Sequence, residues 1–282
     1  MKAKHPEQTD QTPLVLLRGG GDLGTGVAAR LHRAGFRVVV TEIEHPLAVR
    51  RLVALAEAVF SGDVFVEDLR GQRVEDPSHA LHVLANGVIP VLVDPDAFSR
   101  HVLNPAIIID ARMCKAKPDL DREAAHLVIG LGPGFTAGGD CHAVIETNRG
   151  HTLGRVIRNG AAQVDTMIPE AVSGIDRGRV LRAPSDGTLH NGMRLGTLLE
   201  EGDCIAEVGD LALRAPFGGA LRGLVHDGVD VTAGMKIGDL DPRGIPAYCA
   251  MISDKALAVG GGVLEAILAD SVLRNALGSP CG

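Results

Sequence analysis

Short apolar runs alternate with amphipathic stretches along the first 175 residues. The runs, rich in Val, Ile and Leu, lie at Leu14–Leu17, Val38–Val40, Val64–Val66, Ile89–Val93, Ala106–Ile109 and Leu127–Ile129. The segments GVAARLHRAG and RRLVALAEAV follow the first two runs and have the apolar spacing of helices. Nearly continuous apolar strands that alternate with helices are typical of a parallel sheet buried on both faces. We therefore predict a Rossmann-like, doubly wound α/β domain over residues 14–175.

The pattern changes near residue 175, where short alternating runs replace helical periodicity. The segment Leu181–Pro184 (LRAP) recurs as Leu213–Pro216, 32 residues later, and the register then holds without a gap. Further aligned pairs are Gly187 and Gly219, Leu189 and Leu221, Gly202 and Gly234, and Ile205 and Ile237. Two such units can bury their apolar faces only against each other. We predict that residues 176–250 form a duplicated β barrel-sandwich hybrid like that of biotinyl and lipoyl domains.

A carrier role for this second domain is not expected. In carrier domains the attachment lysine stands on the hairpin between the halves, and here that hairpin, Glu207–Leu213, contains no lysine. The pair Met235-Lys236 resembles a biotin motif, but the repeat register places it on the Gly234 turn. The domain is therefore interpreted as a fixed module that docks on the first domain or on a partner protein.

The two ends of the chain have different patterns. Residues 1–13 are polar and are predicted to be a disordered tail. Residues 251–282 have a helical pattern, interrupted by Gly260–Gly262. A lone apolar helix needs a surface on which to bury itself, so we expect this segment to pack on the first domain.

The segment Arg18–Gly26 (RGGGDLGTG) matches the G-x-G-x-x-G fingerprint between a strand and a helix. Glycines let the backbone approach a phosphate, and the helix N-terminus supplies free N–H groups. The second strand ends at Glu42, where an acid would meet a ribose hydroxyl. The predicted cofactor-binding residues here are Gly19, Gly20, Gly21, Asp22, Gly24, Thr25 and Glu42. The alternative is a tight turn without a ligand, and Asp22 would repel a phosphate unless it points away or holds a cation.

A second set of charged residues follows the strand Ala106–Ile109. Ligands gather at the carboxyl ends of strands in open α/β sheets, so Asp110, Arg112 and Lys115 are also predicted to bind the cofactor, with the two cations holding an anion. The alternative is a solvated loop that is salt-bridged to itself through Asp110.

A glycine-rich loop, Gly130–His142, and the segment that follows it, Glu146–His151, supply the candidate catalytic residues. Cys141, Glu146, Arg149 and His151 are predicted to act there, with Arg149 orienting an anion and His151 transferring a proton. The competing interpretations are a small buried thiol at Cys141, an Arg149–Glu146 surface pair, and a helix-capping His151. The chain has no C-x-x-C and matches no zinc spacing, so no metal site is predicted.

Composition excludes several classes of function. The chain has 282 residues, a net charge of −7, no Trp and one Tyr, which disfavours nucleic-acid and anionic-membrane partners. No apolar run is long enough to span a bilayer, and the N-terminus lacks a signal peptide. Five scattered cysteines indicate a reducing compartment, so a cytoplasmic location is expected. A homo-oligomer is left open.

Long motifs resemble the YqeB family of accessory proteins of the selenium-dependent molybdenum hydroxylase system. They run from about residue 14 to 270 and read LLRGGGDLGTGVAARLHRAGF, VVVTEIEHPLAVRR, VDPDA, IIIDARMCK, GLGPGFTAGGDCHAVIETNRGHTLGRVI, LRAPSDG, APFGGALRGLVHDGVDVTAGMKIGDLDPRG and DKALAVGGGVLEAIL. The resemblance implies a role in maturing molybdenum hydroxylases of the xanthine dehydrogenase type, with selenium or sulfur handled at the molybdenum cofactor. It does not supply the reaction.

Three functions remain open. The first is a maturation factor that binds a nucleotide-bearing ligand, such as the dinucleotide form of the molybdenum cofactor, and assists insertion of the cofactor or of selenium or sulfur. The second is an NAD(P)-dependent oxidoreductase, although no Tyr-Lys or His-Asp hydride-transfer pair is visible. The third is a non-catalytic scaffold that docks a hydroxylase subunit.

Overall fold

The computed structural model describes residues 12–113, 118–164 and 177–277. Residues 1–11 of the predicted tail and the candidate anion ligand Lys115 lie outside the described residues.

A nine-stranded sheet forms the first part of the protein. The strands described up to residue 164 are β1 Leu14–Arg18, β2 Arg37–Glu42, β3 Asp63–Val66, β4 Leu69–Val74, β5 Ile89–Val93, β6 Ile107–Asp110, β7 Leu127–Leu131, β8 Thr136–Ala137, β9 Ala143–Ile145, β10 Val156–Ile157 and β11 Gly160–Ala161. The sheet order is β10-β9-β7-β6-β1-β2-β5-β4-β3, while β8 and β11 pair separately. The strands from β9 to β4 in this order are parallel to their neighbours, and β10 and β3 are antiparallel at the two edges.

Helices cover both faces of this sheet. They are α1 Asp22–Arg33, α2 Ala58–Ser61, α3 Pro77–Ala85, α4 Arg100–Leu103, α5 Asp254–Leu268 and α6 Ser271–Leu277. Alternate residues of β1 serve two cores: Val15 and Leu17 pack with α1 and α5, whereas Leu14 and Leu16 pack with α3. The apolar strand pattern therefore reflects burial on both faces.

The segment RRLVALAEAV, predicted as one helix, is instead two 3₁₀ turns, Arg51–Val53 and Leu55–Glu57, followed by α2. The N–H of Leu55 donates to Thr25 Oγ1 at 2.9 Å, and the N–H of Ala56 donates to the Gly20 carbonyl at 3.0 Å. These amides are committed to the turn after β1 and cannot bond four residues back along a helix. Tertiary hydrogen bonds thus override the helical apolar spacing.

The C-terminal helix α5 runs through Gly260–Gly262 without interruption, contrary to the sequence prediction. It packs against α1 and against the loop that contains Gly154. A Cβ on Gly262 would overlap the Gly154 carbonyl oxygen, and one on Gly260 would lie 2.7 Å from the Gly26 carbonyl oxygen. The glycines therefore serve close backbone approach on two sides of the helix.

The described residues from 177 to 241 form a second layered unit. Its strands are β12 Val180–Arg182, β13 Gly187–His190, β14 Leu198–Leu199, β15 Cys204–Val208, β16 Leu211–Arg214, β17 Gly219–Leu224, β18 Asp230–Val231 and β19 Lys236–Asp241. They make two four-stranded antiparallel sheets, ordered β12-β19-β17-β14 and β16-β15-β13-β18, over one apolar core. We call this the repeat unit.

The two repeats exchange equivalent hydrogen bonds. The N–H of Gly202 donates to the Ala215 carbonyl at 2.8 Å, and the N–H of Gly234 donates to the Ala183 carbonyl at 2.9 Å. These four positions map onto one another through the offset of 32 residues. Each repeat thus completes the other.

The predicted fold class, a Rossmann-like doubly wound sheet joined to a barrel-sandwich hybrid, is wrong. The large sheet is mixed because β3 and β10 run antiparallel to their neighbours, and β5 lies between β2 and β4. In the described parts of the connections from β6 to β10, which leave out residues 114–117, no α-helix follows a strand, and one 3₁₀ turn, Arg122–Ala124, is present. No feature of the described residues singles out a biotinyl- or lipoyl-type barrel. The Gly- and Pro-rich connections explain why the expected crossover helices do not form.

In the described ranges, no single helix is both long and apolar enough to cross a membrane. The segments Pro246–Leu268 and Ser271–Leu277 meet the length and composition criteria only as a pair, which is bent by 98°.

Replacing Gly262 by Ala tests the close packing of α5. The new methyl group would overlap the Gly154 carbonyl, so we expect the free energy of unfolding to fall by about 1–3 kcal/mol. Gly261→Ala is the matched control because no described atom outside the helix lies within 4 Å of its Cβ position. That variant should be as stable as the parent or up to ~1 kcal/mol more stable. Equal urea midpoints for the two variants would contradict this packing.

Candidate functional site

The turn between β1 and α1 is tightly packed at Gly19 and Gly24 and borders open space at Gly21. Gly19 has φ +96°, and its N–H donates to the Thr41 carbonyl at 2.8 Å. A Cβ on Gly24 would overlap the Gly19 carbonyl, whereas no described atom lies within 4 Å of a Cβ built on Gly21. Thr25 Oγ1 donates to the Gly20 carbonyl at 2.9 Å. The glycines at 19 and 24 therefore shape the turn, and Gly21 faces free space.

Glu42 is fixed to the turn by its carboxylate. Its Oε1 accepts the Gly20 N–H at 2.7 Å, and its Oε2 accepts the Ile43 N–H at 3.1 Å. Burial raises the pKa of Glu42, and the two backbone hydrogen bonds act against this rise. The acid stands at the position expected from the fingerprint, but both of its oxygens are already engaged.

The carboxylate of Asp22 is neutralised by a buried arginine. Arg50, which is only 7% exposed, donates to Asp22 at 3.0 and 3.1 Å through Nη1. Its Nη2 donates to the carbonyls of Tyr248 and Met251 at 3.1 and 2.9 Å. The repulsion expected between Asp22 and a phosphate is therefore largely cancelled by Arg50.

A closed network of charges follows β1 and β6. The fully buried Arg18 donates to Asp119 at 2.6 and 2.9 Å and to Asp110 at 3.4 Å. Arg112 donates to the same two carboxylates, at 2.6 Å to Asp110 and 2.7 Å to Asp119. The two arginines lower the pKa of Asp119. Two cations and two anions balance here, which favours the salt-bridged loop over an anion site at Arg112.

Cys141 lies in an environment that disfavours a thiolate. The side chain is fully buried, and its Sγ donates to the Ala143 carbonyl at 3.3 Å. Burial raises the pKa of Cys141 to about 11. The neighbouring His142 accepts the Val128 N–H at 3.0 Å through Nδ1, and burial lowers its pKa. These contacts favour the small buried thiol over a nucleophile or a carrier.

The other three predicted catalytic residues do not form one cluster with Cys141. Glu146 is buried and accepts the N–H groups of Asn148 and Gln163 at 2.7 and 2.8 Å. Arg149 pairs with Asp254 at the start of α5, at 2.9 and 3.0 Å. His151 is exposed in a turn without a following helix. Of the set, Arg149 reaches toward the segment that contacts Arg50.

The repeat unit contributes charged residues that the sequence reasoning missed. Arg222 donates to the buried Asp239 at 2.6 Å and lies 3.5 Å from Asp241. Arg243 donates to Asp241 at 2.9 Å through Nε.

Lys236, at the start of β19, interacts electrostatically both with charged residues of the repeat unit and with Asp22 of the glycine turn. Although the residue keeps exposed surface, burial lowers its pKa, and the charges of Arg179 and Arg222 add to that effect. Asp239 and Asp22 act in the opposite direction. Lys236 therefore lies within electrostatic range of the turn. In the sequence, Lys236 stands out only through the pair Met235-Lys236, which resembles a biotin motif but does not lie on the hairpin of a carrier domain.

Comparisons with known proteins give one strong similarity. No protein-family model matches the chain. Two solved structures with a remote likeness are the product-bound ectoine utilization protein EutE (DoeB) from Ruegeria pomeroyi, at 12% identity, and a succinylglutamate desuccinylase/aspartoacylase from Rhodobacter sphaeroides, at 15%. Each likeness covers 81% of this chain and 85% of the other, with a TM-score of 0.25, which carries no functional conclusion.

The uncharacterized protein YqeB of Escherichia coli (strain K12) is 46% identical to this chain over 268 residues. The match covers 95% of this chain and 49% of that protein, so the chain spans about half the length of the curated relative it matches. This identity supports the YqeB family that the motifs indicated.

Proposed function

We propose that the protein is an accessory factor in the maturation of molybdenum hydroxylases of the xanthine dehydrogenase type, and that it binds a nucleotide-bearing ligand at the glycine turn. The dinucleotide form of the molybdenum cofactor is the ligand we favour, as cargo to be delivered or modified with selenium or sulfur. A cytoplasmic location is part of this proposal. The hydroxylase partner rests on the family resemblance, and the ligand class rests on the turn.

One observation carries the ligand class: unused amides lie beneath open space at the start of α1. The N–H groups of Gly21, Asp22 and Leu23 donate to no acceptor among the described residues. The N-terminus of a helix adds about half a positive charge at that place. Free amides and positive potential together are what a phosphate group requires.

The surrounding charges also fit a diphosphate. Asp22 is paired with Arg50, so the carboxylate within the turn does not stand alone against an anion. Lys236 adds a positive charge within electrostatic range of the same turn. In a bound state, the three amides would hold one phosphate and Lys236 would attract the other. Each Glu42 oxygen accepts one backbone N–H and retains a second lone pair, which is available to a ribose hydroxyl.

The arrangement does not support a covalent carrier role for Cys141, because its raised pKa keeps the thiol protonated near neutral pH. We therefore assign ligand binding to the turn and leave Cys141 a packing role. NAD(P) shares the diphosphate, so the oxidoreductase alternative is best separated by ligand preference.

Gly21→Val should abolish nucleotide binding without unfolding the protein. With φ −68° and open space around its Cβ position, Gly21 can be replaced at a cost of about 1 kcal/mol in N-cap stability. The added methyl groups would fill part of the open space beside the turn that the ligand is proposed to occupy, so affinity for cytidine diphosphate should fall more than tenfold by isothermal titration calorimetry. Gly261→Ala, on the open side of α5, should bind as the parent does.

The parent protein should gain about 2.7 kcal/mol of stability from cytidine diphosphate at 100-fold its dissociation constant. A response to NADH alone would replace the maturation proposal by a dehydrogenase, and no response to either would favour a scaffold. Unchanged affinity in Gly21→Val would show that the turn is only structural.

Maturation itself is tested by complementation with the Arg149→Ala and His151→Ala variants. If these residues serve the site, each variant should remain folded but yield less active hydroxylase in cells that lack the native protein. Arg70→Ala is the control. It removes an exposed ion pair on the β3–β4 hairpin, in which Arg70 Nη2 lies 2.8 Å from Asp63 Oδ1. It should change stability by no more than about 0.5 kcal/mol and leave hydroxylase activity intact. Full activity in all three variants would exclude Arg149 and His151.

A further inference from the structure

A small cavity lies between the repeat unit and the start of α5. Its volume is about 180 Å³, and its polar lining consists of Arg50, Arg222, Arg243, Ser253 and Asp254, with Tyr248 beside them. Binding sites for whole drug-sized molecules have roughly 300–1,000 Å³. The cavity therefore suits a small ion or one functional group and not a complete nucleotide.

Arginines outnumber carboxylates among the residues that line the cavity. Behind the lining, the carboxylates of Asp22, Asp239 and Asp241 pair with these arginines and leave part of their donor capacity free. In the lining itself, three guanidinium groups face one carboxylate, and that carboxylate, Asp254, is already paired with Arg149 at 2.9 Å. This pairing lowers the pKa of Asp254 to about 2, so the carboxylate is ionised at neutral pH and its charge is offset by Arg149.

The arginines retain unused donors. Arg222 Nη2 and Arg243 Nη1 make no hydrogen bond to any described residue, while their other nitrogens are held by Asp239 and Asp241. Arg243 also lies 4.8 Å from the ring centre of Tyr248, which fixes its plane. In Arg50, Nε is buried and has no partner among the described groups.

The start of α5 adds two further favourable features. Ser253 Oγ accepts the Ala256 N–H at 3.1 Å, and its hydroxyl hydrogen has no acceptor among the described residues. The 15-residue helix that begins at Asp254 directs the positive end of its dipole toward this region.

Comparison of the two repeats indicates that the fold itself does not require these cations. At an offset of 32 residues, Arg222 corresponds to His190 and Lys236 corresponds to Cys204. Both repeats form equivalent strands, although only the second one faces Arg50 and α5. Arg222 therefore distinguishes the repeat that lines the cavity, and Lys236 is a second cation of that repeat outside the lining.

From these contacts we propose that the cavity binds a phosphate group or a similar tetrahedral oxyanion through Arg50, Arg222 and Arg243. The bound group is either a free inorganic oxyanion or the outer phosphate of the ligand proposed for the glycine turn. Arg50 links the two places because it pairs with Asp22 of the turn and also lines the cavity. Binding of inorganic phosphate does not depend on the proposed function.

Titration of the full chain with inorganic phosphate, followed by calorimetry, tests this site. Arg222→Met should weaken phosphate binding at least tenfold, because a charge-assisted hydrogen bond is lost. Arg194→Met is the control: it removes an exposed arginine of the same unit that makes no side-chain bond to a described residue. Lys236→Met breaks no hydrogen bond of the described fold and should weaken phosphate binding severalfold. This second variant tests the proposal if Arg222→Met does not fold.

Competition between inorganic phosphate and cytidine diphosphate shows whether the cavity takes a free oxyanion or a phosphate of the nucleotide. If the cavity takes the outer phosphate of the nucleotide, inorganic phosphate should raise the apparent dissociation constant of cytidine diphosphate; independent binding would indicate a free oxyanion. Gly21→Val should leave phosphate affinity unchanged in either case, so failure of the turn and failure of the cavity are distinguishable. No phosphate binding, or equal binding in the Arg222, Lys236 and Arg194 variants, would overturn the proposal.

Discussion

The buried guanidinium of Arg50 is the interaction on which the arrangement of this protein depends. It pairs with Asp22 in the glycine turn and donates to two carbonyls just before α5, so one charge joins segments about 200 residues apart in sequence. A buried charge that loses its partners is strongly destabilising, so these segments are held in one relative position. The N-termini of α1 and α5 are thereby fixed on the same side of the molecule, where both favour anions.

The repeat unit combines a symmetric backbone with an asymmetric charge distribution. Gly202 and Gly234 make equivalent hydrogen bonds, and the two sheets have equivalent strand orders. Arg222 and Lys236, however, have no charged equivalent of the same type in the first repeat. The segment before α2 binds the second repeat directly, since Arg51 Nε donates to the Leu224 carbonyl at 2.7 Å. Duplication thus accounts for the matching strand orders, and the proposed anion site involves the copy that carries the two cations.

The sequence predicted the individual strands of the first domain better than their assembly. Runs such as Leu14–Leu17 are identifiable because burial on both faces leaves few polar positions. The sheet order was not predictable, because edge strands such as β3 and β10 differ from central strands in pairing and only weakly in composition. The 3₁₀ turns after Arg50 were missed because tertiary bonds to Gly20 and Thr25 decide them.

The sequence predicted only part of the candidate site, because contacts between distant segments decide the rest. The glycine fingerprint is local and was recognisable, whereas the partners of Asp22 and Arg112 come from distant segments. Lys236 was visible in the sequence, but its electrostatic interaction with Asp22 is apparent only from the structure. Local backbone requirements could therefore be predicted from the sequence, whereas ion pairs between distant segments could not.

The central claim is that an anionic ligand is held between the glycine turn and the repeat unit. Hydrogen–deuterium exchange of the full chain, with and without saturating cytidine diphosphate, measures this directly. The account predicts slower exchange in residues 20–25, and slower exchange around Arg222 and Tyr248 as well if the outer phosphate enters the cavity. Unchanged exchange in residues 20–25 would contradict it.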